Sequence, residues 1–284
     1  MRPRPDASKP ESVMSAEAMG SEVPSQSPHG WRPARFMVIV AHPDDADFGP
    51  AGTAASWIDA GSVGWLVCCT SGDAGDEDPD ADPLELSAVR EREQGAAADV
   101  IGYAGVTFLH QPDGALANDL ALREQLVREL RTFRPDAVLC TDPESVFHRG
   151  GGVNHADHRA AGIAAVDAVY PAARNPMAFP HLARAGLAKH VVRRLYLFWS
   201  QHPDAWVDIT STVDRKVGAL RAHESQIHDP VRLDERVRSW AAEEGELIGT
   251  AAAESFRVIV IEEDEEPAAS VELEAEESAE HAQG

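Results

Sequence analysis

Residues 36–49 read Phe36-Met37-Val38-Ile39-Val40-Ala41-His42-Pro43-Asp44-Asp45-Ala46-Asp47-Phe48-Gly49. The first six are apolar without polar alternation, the pattern of a strand buried on both faces, as parallel strands are. The run ends abruptly in an imidazole, a proline and three carboxylates, so the chain leaves the strand through a polar loop whose backbone Pro43 restricts. A helical pattern over 49–60 follows. The same alternation recurs downstream. Val63–Thr70, Val106–Leu109 and Ala137–Cys140 are short apolar runs, separated by helical patterns over Leu84–Ile101 and Asp119–Phe133. In the last of these, Leu120, Leu122, Leu126, Val127 and Leu130 form one stripe at steps of three and four. Strand-helix-strand repeats of this size make right-handed crossovers. The fold class is therefore α/β, a doubly wound, mostly parallel sheet flanked by helices. Strands at Val192–Trp199, Val207–Ile209 and Phe256–Ile261, with helices around Thr212–His223 and Val231–Glu244, add a smaller C-terminal α/β section. The segment 72–83, rich in Asp, Gly and Pro, reads as a mobile loop.

The 284 residues suffice for one catalytic domain with extensions. Residues 1–33, rich in Pro, Ser, Glu and Ala, read as a disordered leader, and 262–284, with ten acids and no Lys or Arg, as an acidic disordered tail. The folded body spans 34–261. Formal charge is −23, and without the tail the remainder still carries 38 acids against 25 bases. Such a surface repels phosphate backbones and anionic headgroups, which argues against nucleic acid or a membrane surface as partner. No window reaches the length of a membrane span, the leader lacks the apolar stretch of a secretory signal, and Cys68, Cys69 and Cys140 lie in buried-strand patterns. A cytoplasmic setting is the expectation. The 22 Arg against three Lys, with abundant Ala, suit a GC-rich bacterial genome.

In open α/β sheets ligands bind beyond the carboxyl ends of the strands, where strand order reverses. His42 and its acids lie at the end of the first strand. The loop after the fourth leads to Asn154-His155-Ala156-Asp157-His158-Arg159 at a helix start. If order reverses between strands one and four, the two loops face each other. Two histidines and a carboxylate satisfy a catalytic Zn²⁺, which keeps a fourth position open. The spacing of His42 and Asp45 turns both toward one point, and His155 and His158 share a helix face. Which carboxylate binds and which accepts a proton the spacing leaves open. A blander reading makes Asp45 or Asp47 a helix cap and Asp157 a dipole partner, but two such clusters on neighbouring strand ends weaken it.

These motifs resemble the PIG-L/LmbE family of zinc-dependent de-N-acetylases. The likeness takes in Ala41-His42-Pro43-Asp44-Asp45, His155-x-Asp157-His158, Thr70 to Gly75, Arg90-x-x-Glu93, Asp113-Gly114-x-Leu116, Val207 to Thr210, Asp214-x-Lys216 and Ala219 to Gln226. It implies a Rossmann-like fold in which His42, Asp45 and His158 hold zinc and Asp44 is the general base. It further implies that His155 supports the tetrahedral intermediate or protonates the amine, that Asp157 orients it, and that Arg90 and Asp113 line the substrate pocket. The substrate implied is an N-acylated amino sugar or glycoconjugate, and relatives of this kind form homo-oligomers. Two departures stand out: Asp47 where the family usually has Glu, and Val153 where relatives acting on cysteine-linked glucosaminyl-inositol thiols have Tyr.

Other classes compete with this reading. A nucleotide-dependent redox enzyme would carry G-x-G-x-x-G after the first strand, but that loop is acidic and would repel a pyrophosphate. A non-catalytic metal- or sugar-binding module would keep the ligands but not need Asp44. An amidase of a thiol conjugate would share the chemistry with another pocket.

Overall fold

The computed structural model describes residues 31–263. The leader expected over 1–33 and the tail over 262–284 therefore lie, apart from 31–33 and 262–263, outside the described residues. Trp31 packs onto the body. Its ring stacks on Tyr196, with centroids 6.3 Å apart, and the Arg194 guanidinium sits 4.1 Å over its face.

The elements run β1 (Arg35–Val40), α1 (Asp45–Phe48), α2 (Ala51–Asp59), β2 (Val63–Thr70), α3 (Pro83–Ile101), β3 (Val106–Gln111), α4 (Leu120–Phe133), β4 (Ala137–Thr141) and α5 (Ala156–Asp167). They continue through a π-helical turn (Ala168–Ala173) to α6 (Pro180–Arg184), β5 (Arg194–Phe198), β6 (Ala205–Asp208), α7 (Val213–Leu220), α8 (Pro230–Glu246) and β7 (Ala253–Val260). One seven-stranded sheet has the order β3-β2-β1-β4-β5-β7-β6. The neighbouring pairs among β1 to β5 are parallel, and β7 runs antiparallel to β5 and β6. The order reverses between β1 and β4, which pair through Phe36 with Ala137 and Ile39 with Cys140. The crevice of a doubly wound sheet thus lies where the sequence put it.

Alternation along β1 explains its unbroken apolar run. Met37, Ile39 and Ala41 enter a core shared with α4 and α5, while Phe36, Val38 and Val40 enter one shared with α2 and α3. All six are fully buried. Cys68, Cys69 and Cys140 are buried free thiols in the strands. Among the described residues no helix is long and apolar enough to cross a membrane.

Local differences from the sequence reading have physical causes. The helix expected over 49–60 is two: α1 starts inside the acidic loop, and α2 restarts after Pro50, which has no N–H to continue the first. Leu120 of the α4 stripe is 67% exposed, because at the first position of the helix it points away from the core that takes Leu122, Leu126, Val127 and Leu130. The 72–83 loop is tied down at its start: Arg90 donates to the Gly72 carbonyl at 3.1 Å, Gln226 to Gly75 at 3.1 Å, and the Ala74 N–H to Asp113 at 3.1 Å.

Candidate metal centre and active site

His42 follows β1 directly and Asp45 opens α1, so one turn brings both side chains over the carboxyl edge of the sheet. The Asp45 carboxylate accepts the His42 backbone N–H at 2.8 Å and lies 3.4 Å from His42 Nδ1 through the same oxygen. Its other oxygen is 3.0 Å from Nε2 of His158. Asp45 thus joins the two loops. His158 is aimed from behind by Asn154, whose Oδ1 is 3.0 Å from Nδ1 and leaves Nε2 facing inward. The α5 helix that carries it reaches β4 because Gly162 has no side chain. A Cβ there would lie 2.3 Å from the Thr141 carbonyl oxygen.

The rings of His42, His155 and His158 form a triangle with centroids 5.0 to 5.3 Å apart. One ring nitrogen from each lies within 4.8 Å of the others, as do donor atoms of His42, Asp113 and Asp157. On its far side His42 Nε2 is 3.0 Å from Asp113 and 3.5 Å from Asp157. Burial alone would lower the His42 pKa, but hydrogen bonds and charge from Asp113 and Asp45 outweigh it and push it up to about 10. Asp45 is held well below the carboxylate range: burial opposes this, and the His158 and His42 partners overcome it. Three imidazoles among three ordered carboxylates form a nitrogen and oxygen donor set that suits a divalent cation of borderline softness.

Asp44 stands apart from this set. Its backbone is left-handed, φ 92°, a costly conformation for a non-glycine residue. It is over-determined by its neighbours. The Asp44 N–H donates to Gln94 at 2.8 Å, and Gln94 and the fully buried His223 both bond Asp47 at 2.9 Å. Arg90 donates to the Pro43 carbonyl at 2.8 Å and to the Asp44 carboxylate at 3.3 Å. Burial first, then the Asp45 charge, push the Asp44 pKa up to about 7.

One expectation changes at this point, and two others gain detail. Asp157 does not orient His155 through its carboxylate: that carboxylate accepts the Gly114 and Leu116 N–H groups, and the Asp157 backbone N–H bonds His155 Nδ1 at 3.2 Å. Arg90, 4% exposed, donates to the Gly72 and Pro43 carbonyls and to the Asp44 carboxylate. Asp113 faces His42 and Ala74; burial raises its pKa, but the His42 hydrogen bond and charge bring it down to about 2. Both residues line the cavity, as supports of its floor.

Glu254 and the side-chain role of Trp199 had no signal in local sequence, and Lys216 entered only through the Asp214-x-Lys216 likeness. Lys216 donates to the Phe48 carbonyl at 2.9 Å and pairs with Glu254 at 2.6 Å, while Glu254 accepts the Gly52 and Thr53 N–H groups. A carboxylate on β7 therefore caps α2, the role that the bland reading gave to Asp45 or Asp47. Trp199, at the end of β5 with φ 55°, sets its ring 5.2 Å from that of His158. Positive φ also occurs at His110, the penultimate residue of β3. Strained residues at the ends of β1, β3 and β5 mark one rim, and strain of this kind gathers at functional sites. The cavity above it measures about 1140 Å³ and reaches from His42 to α8.

Residues 37–169 match the family model described as PIG-L, GlcNAc-PI de-N-acetylase. A diacetylchitobiose deacetylase of Thermococcus kodakarensis is 29% identical over 231 residues, 79% of this chain and 83% of that one. A 1D-myo-inositol 2-acetamido-2-deoxy-alpha-D-glucopyranoside deacetylase of Rhodococcus erythropolis is 25% identical over 68% of this chain and 81% of its own. The crystal structure of N,N'-diacetylchitobiose deacetylase from Pyrococcus horikoshii superposes with a TM-score of 0.72 at 29% identity, covering 80% of this chain and 84% of that one.

Proposed function

The chain belongs to the PIG-L family, and from that premise we propose that it is a zinc-dependent amidohydrolase that removes the acetyl group from an N-acetylglucosamine-type sugar or conjugate. His42, Asp45 and His158 would hold the metal. The observation that carries the reading is the Asp45 carboxylate lying between the two imidazoles, with the pKa-raised carboxylate of Asp44, steadied by Arg90, next to it. A bound zinc supplies Lewis acidity toward the amide carbonyl and lowers the pKa of water at the site toward ~7.

The rest follows from the chain's own groups. Asp44, held by Gln94 and Arg90, takes a proton from the attacking water; its raised pKa makes it a competent base near neutrality. His155, whose Nδ1 accepts the Asp157 N–H, sets its ring edge-to-face against the His42 ring and stands where oxyanion charge or the leaving amine would need a partner. Acetate and a free amine leave. Arg90 and Asp113 hold Asp44 and His42 in place.

The test is metal analysis together with release of free amine from N-acetylglucosamine and its glycosides. Wild type should contain zinc and release amine. Asp44→Asn should keep the metal and lose turnover by about 10²–10⁴-fold, the contribution of a positioned general base. Full activity in Asp44→Asn would defeat the proposed base. Metal binding without turnover of any N-acyl sugar would favour a binding module.

A further inference from the structure

The helix α8 carries two stripes four residues apart. Leu233, Val237, Ala241 and Gly245 are its buried residues, and Gly245 packs so closely that a Cβ would sit 2.7 Å from the Thr250 carbonyl. The helix is therefore seated closely on the segment leading to β7. The adjacent stripe, Arg236, Trp240 and Glu244, lines the cavity. Glu244 is fully engaged, accepting Arg149 at 2.7 Å and the Trp206 indole N–H at 2.8 Å. Through Arg149 it pins the loop between β4 and α5, which ends at His155 where the helix carrying His158 begins, against α8. The wall between metal centre and helix is thus continuous and built.

Trp240 has no such partner. Of the six tryptophans it alone is exposed, at 46%, with Arg236 4.7 Å over its ring. An indole left open on a rigid helix, in the wall of a reactive cavity, is an unused binding surface. The cavity also exceeds one N-acetylhexosamine, since ~300–1,000 Å³ already accommodates drug-sized ligands. Its distal lining balances cations with acids around one aromatic face. That suits a neutral ring with an apolar face and hydroxyls, whereas an alkyl chain would want continuous apolar lining.

Resting on the deacetylase reading, we propose that Trp240 and Arg236 form a second sugar subsite, so that the substrate is an N-acetylated glycoside whose next saccharide ring lies on the Trp240 indole. The acetamido ring would occupy the inner cavity beside Trp199 and His158.

The experiment is calorimetric titration of metal-loaded Asp44→Asn protein, with and without Trp240→Ala, using N-acetylglucosamine, N,N'-diacetylchitobiose and octyl N-acetylglucosaminide. The disaccharide should bind more tightly than the monosaccharide, and Trp240→Ala should shrink that ratio about tenfold, the scale of removing an aromatic anchor. Trp240→Phe should restore part of it. A disaccharide that binds no better than the monosaccharide, or a ratio indifferent to Trp240→Ala, overturns the subsite. So does an advantage through Trp240 confined to the octyl glycoside. Tight, Trp240-dependent disaccharide binding by a wild type that releases no amine would leave the subsite standing and defeat the deacetylase reading instead.

Discussion

Asp44 and Asp45 are chemically identical neighbours, and their surroundings drive them apart. Asp45 touches two imidazoles and is held ionised, whereas Asp44 lies largely enclosed beside that charge, its side chain 16% exposed, with Arg90 only partly offsetting it. Opposite environments for paired carboxylates are what divide acid-base roles in an active site. The same groups set how stability varies with pH once the metal is stripped. Asp44 has a folded pKa raised from 3.8 to about 7, so the native state keeps a proton that the unfolded chain releases, and stability falls as pH climbs between those values. His42, raised from 6.5 to about 10, contributes stability that is full below 6.5 and lost as pH rises through about 10. Both slopes have the same sign. Thermal melts of chelated protein should show Tm decreasing from pH 6 to pH 10, with a shallower slope for metal-loaded protein, where the cation replaces the His42 proton. A flat Tm in the chelated protein would contradict this account of His42. A cation near Asp44 can only draw its pKa down, so the acid limb of kcat/KM belongs at or below about 7.

At the scale of elements, close approach of α5 to β4 decides whether His158 reaches Asp45. The helix has little apolar contrast, and its buried face is Ala161, Gly162, Ala164 and Ala165, small residues that let it lie against the end of the strand. Gly162→Ala would drive a methyl into the Thr141 carbonyl, which is backbone and cannot step aside. The expected cost is ~1–3 kcal/mol by overpacking. Because the helix must shift, metal affinity should fall along with Tm. Calorimetric metal titration and a thermal melt of this variant check both, and unchanged metal affinity with a lowered Tm would separate α5 from the metal centre. The α2 helix is governed from further away: Glu254 on β7 takes its first N–H groups and Lys216 on α7 neutralises that carboxylate, so the C-terminal section holds the element next to the acidic loop.

For the whole molecule, the metal centre joins loops from β1 and β4, and a cation there binds the folded chain alone. Zinc at about a thousandfold above its dissociation constant should add ~4 kcal/mol of stability by mass action. At roughly 2–4 °C per kcal/mol for a body of this size, Tm should rise by about 10 °C on loading and fall on chelation. No shift would mean that the cluster holds no metal. The alternation of apolar runs with helical patterns determined the doubly wound sheet, and the polar residues ending the first run determined which loop bears the chemistry. Both are local signals, carried by periodicity and by residue types within a few positions of each other. Resemblance to a known family added the separation of Asp44 from Asp45, which spacing left open. Only the tertiary structure decided that Arg90 and Asp113 support the floor, that the Asp157 carboxylate holds the β3–α4 loop, that Glu254 caps α2, and that Trp199 and Trp240 face one cavity. Each of those depends on contacts between residues tens to about two hundred positions apart. No local pattern records them, because it is the packing of the elements that brings such residues together.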